Sequence, residues 1–358
     1  MLHINHISSK DVHLSDYDDI IDVRSPLEFG EDHLPDAINL PVLSNSEREE
    51  VGTIYKQVNP FEARRRGAAL VSYNISEHLK DYFVDKKKDY SPLIYCWRGG
   101  ERSRSLATVL ESVGWRPSLL EGGYQGYRKH VIQSFNDILK NDLSFKIISG
   151  LTGSGKTKLL MHLESLGCQT IDLEGLASHR GSALGEESGN DQPSQKMFER
   201  LLYEKFLTLN DKIPVFLESE SSRIGDLQIP SNFWTMMKNS DVWEIETERK
   251  FRVDFLLNEY IHFIEDKELL KTKLSKIRHL KSDRVYDKWI SMIDDGDYKA
   301  FVRSILEDHY DAAYISSRQK TYSSAAVKVF NINEINDVSL RNLAEQIKAS
   351  VPSCSFAQ

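Results

Sequence analysis

Cysteine is scarce: Cys96, Cys168 and Cys354 are the only three in 358 residues. So odd and widely spaced a set builds neither a disulfide framework nor a zinc site, and it points to a reducing cytosol. Long apolar runs are lacking too. No stretch of 12 residues is free of charged side chains, whereas a membrane-crossing helix needs about 20 mostly apolar residues. The segment Met1 to Asp16 lacks the basic-then-apolar layout of a secretory signal, so the expected location is cytoplasmic. A basic excess is also missing. Lys plus Arg number 46 against 54 Asp plus Glu, a net charge of -8, so any nucleic-acid contact must come from a local patch. What is present, 40% hydrophobic and 28% charged residues, supports sizeable globular cores, and the length suits two domains of about 150 residues.

Short apolar runs at Asp19 to Arg24 and Pro92 to Trp97, bounded by turn formers, predict buried parallel strands. Helical spacing over Ser103–Val113 and Tyr127–Lys140 completes an α/β pattern, which predicts a first domain over 1–135. A second start is Phe145-Lys-Ile-Ile-Ser149, which feeds a Gly-rich turn and a helix from Lys156 to Leu166. Further strands are predicted at Gln169–Leu173 and Ile213–Leu217, and a charged helical region at about 250–310. The second domain is therefore expected over 144–358.

Two loops carry chemistry. Cys96-Trp-Arg98-Gly99-Gly100-Glu-Arg102-Ser103 joins a predicted strand to a predicted helix, so backbone N–H groups and the positive helix end surround the sulfur. That field, with Arg98 and Arg102, favours a thiolate and an anionic ligand. The ordinary alternative is a buried structural cysteine. Asp22-Val-Arg24-Ser-Pro-Leu-Glu-Phe29, His33-Leu-Pro-Asp-Ala-Ile-Asn-Leu-Pro41 and this loop together resemble the rhodanese family. The resemblance implies a cysteine carrying a persulfide or related chalcogen adduct, with Asp22 and Arg24 bracing the loop. The Cys-x5-Arg spacing is one residue longer than in common sulfurtransferases and is shared with cysteine phosphatases. Against a phosphatase stand Tyr95, where such enzymes place histidine, and the charge of Glu101.

Gly150-Leu-Thr-Gly153-Ser154-Gly155-Lys156-Thr157 fits Gly-x4-Gly-Lys-Ser/Thr in strand-to-helix context. Its N–H groups suit phosphates, Lys156 adds a point charge and Thr157 can ligate Mg²⁺. The motif specifies a polyphosphate and names no nucleotide, so ATP remains unestablished. Glu218 or Glu220, after Ile213-Pro-Val-Phe-Leu, supplies the acidic partner; a solvated loop carboxylate is the alternative. Asp172, Glu174, His179, Arg180 and Arg223 are further polar groups expected near the same cleft.

The rhodanese-like segments, the phosphate loop, Asp172-Leu-Glu-Gly-Leu-Ala-Ser-His-Arg-Gly-Ser182, Gln192-Pro-Ser-Gln195 and Glu218-Ser-Glu-Ser-Ser-Arg-Ile-Gly225 occur in the order of the tRNA 2-selenouridine synthase family, which the chain resembles to about residue 315. The resemblance implies tRNAs for Lys, Glu and Gln bearing wobble 2-thiouridine, S-geranylation from geranyl diphosphate, and replacement of the geranylthio group by selenium from selenophosphate. It also implies a system that supplies selenophosphate. Geranyl diphosphate then becomes the expected occupant of the phosphate loop. For the tRNA, Lys267 to Arg284 predicts one amphipathic helix whose basic face carries Lys271, Lys273, Lys276, Arg278, Lys281 and Arg284. Competing readings are a sulfurtransferase or Cys-x5-Arg phosphatase fused to an ATPase or kinase, and a non-enzymatic RNA-binding module.

Overall fold

The computed structural model describes residues 4–141, 143–179, 192–321 and 327–351, and the side chains of 262 and 317–320 are not among those described. Arg180 and Cys354 lie outside the described residues. The chain divides into two α/β units, 1–135 and 136–358.

In the first unit β1 (Asn5–Ile7), β2 (Ile20–Asp22), β3 (Ala37–Asn39), β4 (Leu93–Tyr95) and β5 (Ser118–Leu120) form a parallel sheet of order β1-β5-β4-β2-β3. Five helices belong to it: α1 (Pro26–Glu31), α2 (Asn45–Gln57), α3 (Pro60–Asp81), α4 (Glu101–Val113) and α5 (Gly123–Ile138). Strands β2, β4 and β5 are buried along their whole length because helices cover a parallel sheet on both faces. Ile21, Ile94, Leu106 and Leu110 share one core. Register sets Asp22 beside Tyr95, so the chemistry-bearing residues gather at the carboxyl ends of β2 and β4, where open α/β sheets bind ligands.

The second unit contains β6 (Phe145–Ser149), β7 (Gln169–Ile171), β8 (Val215–Glu218), β9 (Arg223–Ile224), β10 (Leu227–Gln228), β11 (Asp241–Glu246) and β12 (Lys328–Asn331). Its parallel sheet runs β12-β11-β6-β8-β7, and β9 with β10 makes a separate antiparallel ribbon. Helices α6 (Lys156–Ser165), α7 (Leu173–Leu176), α8 (Gln195–Leu207), α9 (Ser231–Lys238) and α16 (Asp337–Ala349) accompany the sheet. The helical insertion between β11 and β12 comprises α10 (Arg249–Glu259), α11 (Ile261–Glu265), α12 (Lys267–Ser275), α13 (Asp283–Asp294), α14 (Tyr298–Ile305) and α15 (Asp311–Thr321). It has its own core around Trp289, Phe301 and Leu274.

One expectation is corrected here. Lys267 to Arg284 is no single helix: α12 stops at Ser275, a 3-10 turn covers Arg278–Leu280, and α13 begins at Asp283 behind Ser282. The Ser275 hydroxyl turns back to the Thr272 carbonyl, competing with the helical ladder, and Ser282 occupies the cap position of the next helix.

Candidate functional site

In the first unit, the Cys96 sulfur leaves β4 and is cradled by its own loop. The Gly100 N–H donates to Sγ at 3.2 Å and the Ser103 hydroxyl lies 3.3 Å away. Gly99 takes φ +67°, a left-handed conformation that glycine adopts without strain. Beneath the loop runs the start of α5: Tyr124 N–H donates to the Cys96 carbonyl at 2.8 Å and Gln125 N–H to the Trp97 carbonyl at 2.9 Å. Gly123, at φ +54°, makes this approach feasible, because a Cβ there would stand 2.3 Å from the Cys96 carbonyl oxygen. In the sequence only the Gly122-Gly123 pair marks this position.

Asp22 and Arg24 are both fully buried and paired at 2.6 Å. Arg24 also donates to the Asp32 carbonyl and lies over the Tyr124 ring, 4.0 Å from its centroid. Tyr124 in turn donates to Asp32 at 2.8 Å. The pair thus ties β2 to the loop before β3 and to α5, which is a bracing arrangement. Arg98 reaches outward to Gln125 at 3.0 Å.

Arg102 is engaged in an ion pair. Its guanidinium grips Glu28 of α1 through hydrogen bonds of 2.7 and 3.2 Å. Ser25 and Glu28 form a capping box, a pattern visible in the sequence as Ser-x-x-Glu. Burial alone raises the Glu28 carboxyl, but hydrogen bonding and charge from Arg102, with help from Ser25 and Arg48, hold it at about 2 against an ordinary 4.5. Because the folded value lies below the unfolded one, the ion pair's stabilisation is complete above pH 4.5 and fades as pH falls toward 2. Glu28→Gln is therefore expected to destabilise the first unit by about 2 kcal/mol at pH 7 and by progressively less in acid. Urea unfolding of that unit at pH 7 and pH 3 checks this; a pH-independent difference would mean that packing, not charge, is lost.

In the second unit, β6 delivers Gly150 to Gly155 into α6, with Gly155 at φ +78° capping the helix. Lys156 Nζ donates to the Gly150 carbonyl at 2.9 Å. The Thr157 hydroxyl lies 3.3 Å from Glu174 and 3.2 Å from Glu218, within reach to donate to either. Carboxylate oxygens of Glu174, Glu218 and Glu220 come within 4.8 Å of one another. Glu218 is 1% exposed, and its Oε1 is buried with no hydrogen-bond partner. Burial first, then the charges of Glu174, Glu220 and Asp172, push the Glu218 carboxyl well above the ordinary range, while Lys156 pulls it back in part. Burial and Glu174 likewise push Glu220 up to about 8. Clustered around the buried Glu218, these carboxylate oxygens fit a divalent cation.

Other predicted residues have local duties. Asp172 caps α7 through the Gly175 N–H at 2.8 Å. Arg223 folds onto Gly225 and Asp226, both at 2.7 Å. The His179 N–H donates to the Glu174 carbonyl, steadying the turn that presents Glu174. Two residues absent from the sequence reading also hold the phosphate loop. Tyr314 of α15 accepts from Gly150 N–H at 2.9 Å and meets the Ser149 and Ser219 hydroxyls at 2.9 and 3.0 Å. Arg252 of α10, 2% exposed and locked to Asp311, donates to the Thr152 carbonyl at 3.1 Å.

Comparison with known proteins agrees with both units. Residues 5–130 match the rhodanese-like domain, and residues 143–276 match the family described as the tRNA 2-selenouridine synthase AAA domain. A tRNA 2-selenouridine synthase of Shewanella sediminis is 30% identical over 338 residues, which cover 86% of this chain and 90% of that protein. The chain belongs to the tRNA 2-selenouridine synthase family. Relatives of the same description from Shewanella halifaxensis and Nitrosomonas europaea are each 37% identical over 246 residues, 68% of this chain but only 66% and 63% of their own lengths.

The ordered segments that carried the family resemblance have legible structural work. Gln192 donates to the Ala177 and Ile224 carbonyls and accepts from Asp226 N–H at 2.7 Å. Gln195 both donates to the Gln228 carbonyl and accepts from its N–H, each at 2.8 Å, and Ser194 caps α8. The two glutamines therefore clamp the β9–β10 ribbon, which follows Glu218 and Glu220 in the chain. The six cations expected on one basic face part company. Lys271 pairs with Asp294 and Glu268, Lys273 is buried, and Lys281 donates to the Asp308 carbonyl at 2.7 Å. Lys276, Arg278 and Arg284 are exposed, and Arg278 reaches Asp283 at 3.6 Å and lies over the Tyr286 ring.

Proposed function

We propose that this protein is a tRNA-modifying transferase that converts wobble 2-thiouridine to 2-selenouridine through an S-geranyl intermediate. The tRNAs are those for Lys, Glu and Gln. The observation that carries the reading is the possession, in one chain of this family, of a cradled thiol at Cys96 and a phosphate loop opening on Glu174, Glu218 and Glu220.

The first step belongs to the phosphate loop. The thiouridine sulfur attacks C1 of geranyl diphosphate, the carbon–oxygen bond breaks with its electron pair leaving on diphosphate, and the base loses its N3 proton. Backbone N–H groups of residues 150–155 and the Lys156 ammonium stabilise the departing charge. A divalent cation on Glu174, Glu218, Glu220 and the Thr157 hydroxyl would neutralise more of it. In the second step the Cys96 thiolate displaces geranylthiolate from C2. Selenium of selenophosphate then displaces Cys96, and water takes the phosphoryl group. Lys276, Arg278 and Arg284 supply local positive charge for the tRNA backbone.

A Cys-x5-Arg phosphatase is disfavoured because the charge of Arg102, which such an enzyme needs for its phosphate, is already balanced by Glu28. Mass spectrometry of nucleosides from a 2-thiouridine anticodon stem-loop decides the matter. Incubation with protein, geranyl diphosphate and Mg²⁺ is expected to add the geranyl mass, and selenophosphate then to yield 2-selenouridine. An unchanged nucleoside in the presence of folded protein and intact RNA would remove the reading.

A further inference from the structure

Inside the helical insertion lies a cavity of about 90 Å³ that the proposed chemistry leaves unassigned. Its walls are almost wholly apolar and include Leu256, Phe263, Phe301, Val302 and Ile305. Walls with so little polar surface offer water few hydrogen-bond partners, so the occupant they suit best is hydrocarbon.

What gives the cavity a ligand is another wall residue, Thr152, which belongs to the phosphate loop. Helix α10 is the wall common to both. Leu256 lines the cavity and packs so closely on the loop that a Cβ on Gly153, at φ +82°, would stand 2.8 Å from its side chain. One turn earlier, buried Arg252 fixes the same helix to the Thr152 carbonyl. A site for anionic phosphate and an apolar site thus adjoin across one helix. That is the pairing of surfaces an alkyl diphosphate requires.

We propose that this cavity receives the hydrocarbon chain of the alkyl diphosphate whose head occupies the phosphate loop. The inference rests on the diphosphate reading of that loop. It assigns chain recognition to the insertion, where Val302 and Leu257 are among the residues that line the space.

Calorimetry with inorganic pyrophosphate, dimethylallyl diphosphate and geranyl diphosphate, each with Mg²⁺, tests it on the full chain. Burying even two methylene groups is expected to make geranyl diphosphate bind at least about tenfold more tightly than pyrophosphate. Val302→Phe, which fills the cavity, is expected to remove that advantage while leaving pyrophosphate affinity within about twofold of wild type. Leu257→Phe provides a second filling variant should the first fail to fold. If both folded variants keep the full advantage of geranyl diphosphate, the cavity assignment falls and the diphosphate reading stands. A wild-type protein that binds none of the three ligands removes the diphosphate reading and this proposal with it.

Discussion

Cys96→Ala is expected to abolish formation of the selenium-bearing nucleoside, by about 10³-fold or more, while leaving S-geranylation intact. The expectation follows from the proposed division of labour between the two units. In the proposed second step the sulfur forms and releases the bond to C2, while the Gly100 N–H and the Ser103 hydroxyl hold it in place. Alanine also removes the acceptor of the Gly100 N–H, a structural loss of about 1 kcal/mol that is separate from the chemical effect. Cys96→Ser separates the two, because the serine oxygen still accepts that hydrogen bond but is a far poorer nucleophile and leaving group. Both variants should accumulate S-geranyl-2-thiouridine, which a nucleoside digest reads directly. Selenation that persists in either would sink the role given to Cys96.

The phosphate loop and the cysteine loop were legible because each confines its chemistry to a few consecutive residues. Gly150 to Thr157 needs only local backbone conformation, and the apolar run Phe145 to Ser149 fixes where it starts. The partners that restrain these loops were not legible, since they come from far along the chain. Glu28 and Arg102 are 74 positions apart, and Gly150 and Tyr314 are 164. No periodicity links such residues; only the parallel crossovers bring them together. Edge strands were lost for a different reason. β3 is half-buried throughout and β12 alternates with exposed positions, so neither stands out as a buried apolar run. The basic face of residues 267–284 failed through periodicity itself. Leu270, Leu274 and Ile277 do share a core at helical spacing, but the chain turns after Ser275, and the cations follow the turn.

Lys156→Ala is expected to slow S-geranylation by about 10²–10³-fold, the effect of removing one preorganised donor from a developing anion. Two losses combine. The ammonium that now rests on the Gly150 carbonyl at 2.9 Å is the loop's point charge for phosphate. The same charge opposes the rise of Glu218 and Glu220, so without it both carboxyls hold their protons to higher pH. A cation must then displace more tightly held protons, and the Mg²⁺ concentration needed for half-maximal rate is expected to rise along with the fall in kcat. Starting from 2-thiouridine, selenation fails too, because its substrate is not made. Starting from a stem-loop already carrying S-geranyl-2-thiouridine, the variant should convert it to 2-selenouridine at close to the wild-type rate, since Cys96 and its cradle belong to the other unit. That contrast assigns the phosphate loop to the first step alone. Equal impairment from both starting points would place Lys156 in the second step as well, and unimpaired geranylation would remove diphosphate from the loop altogether.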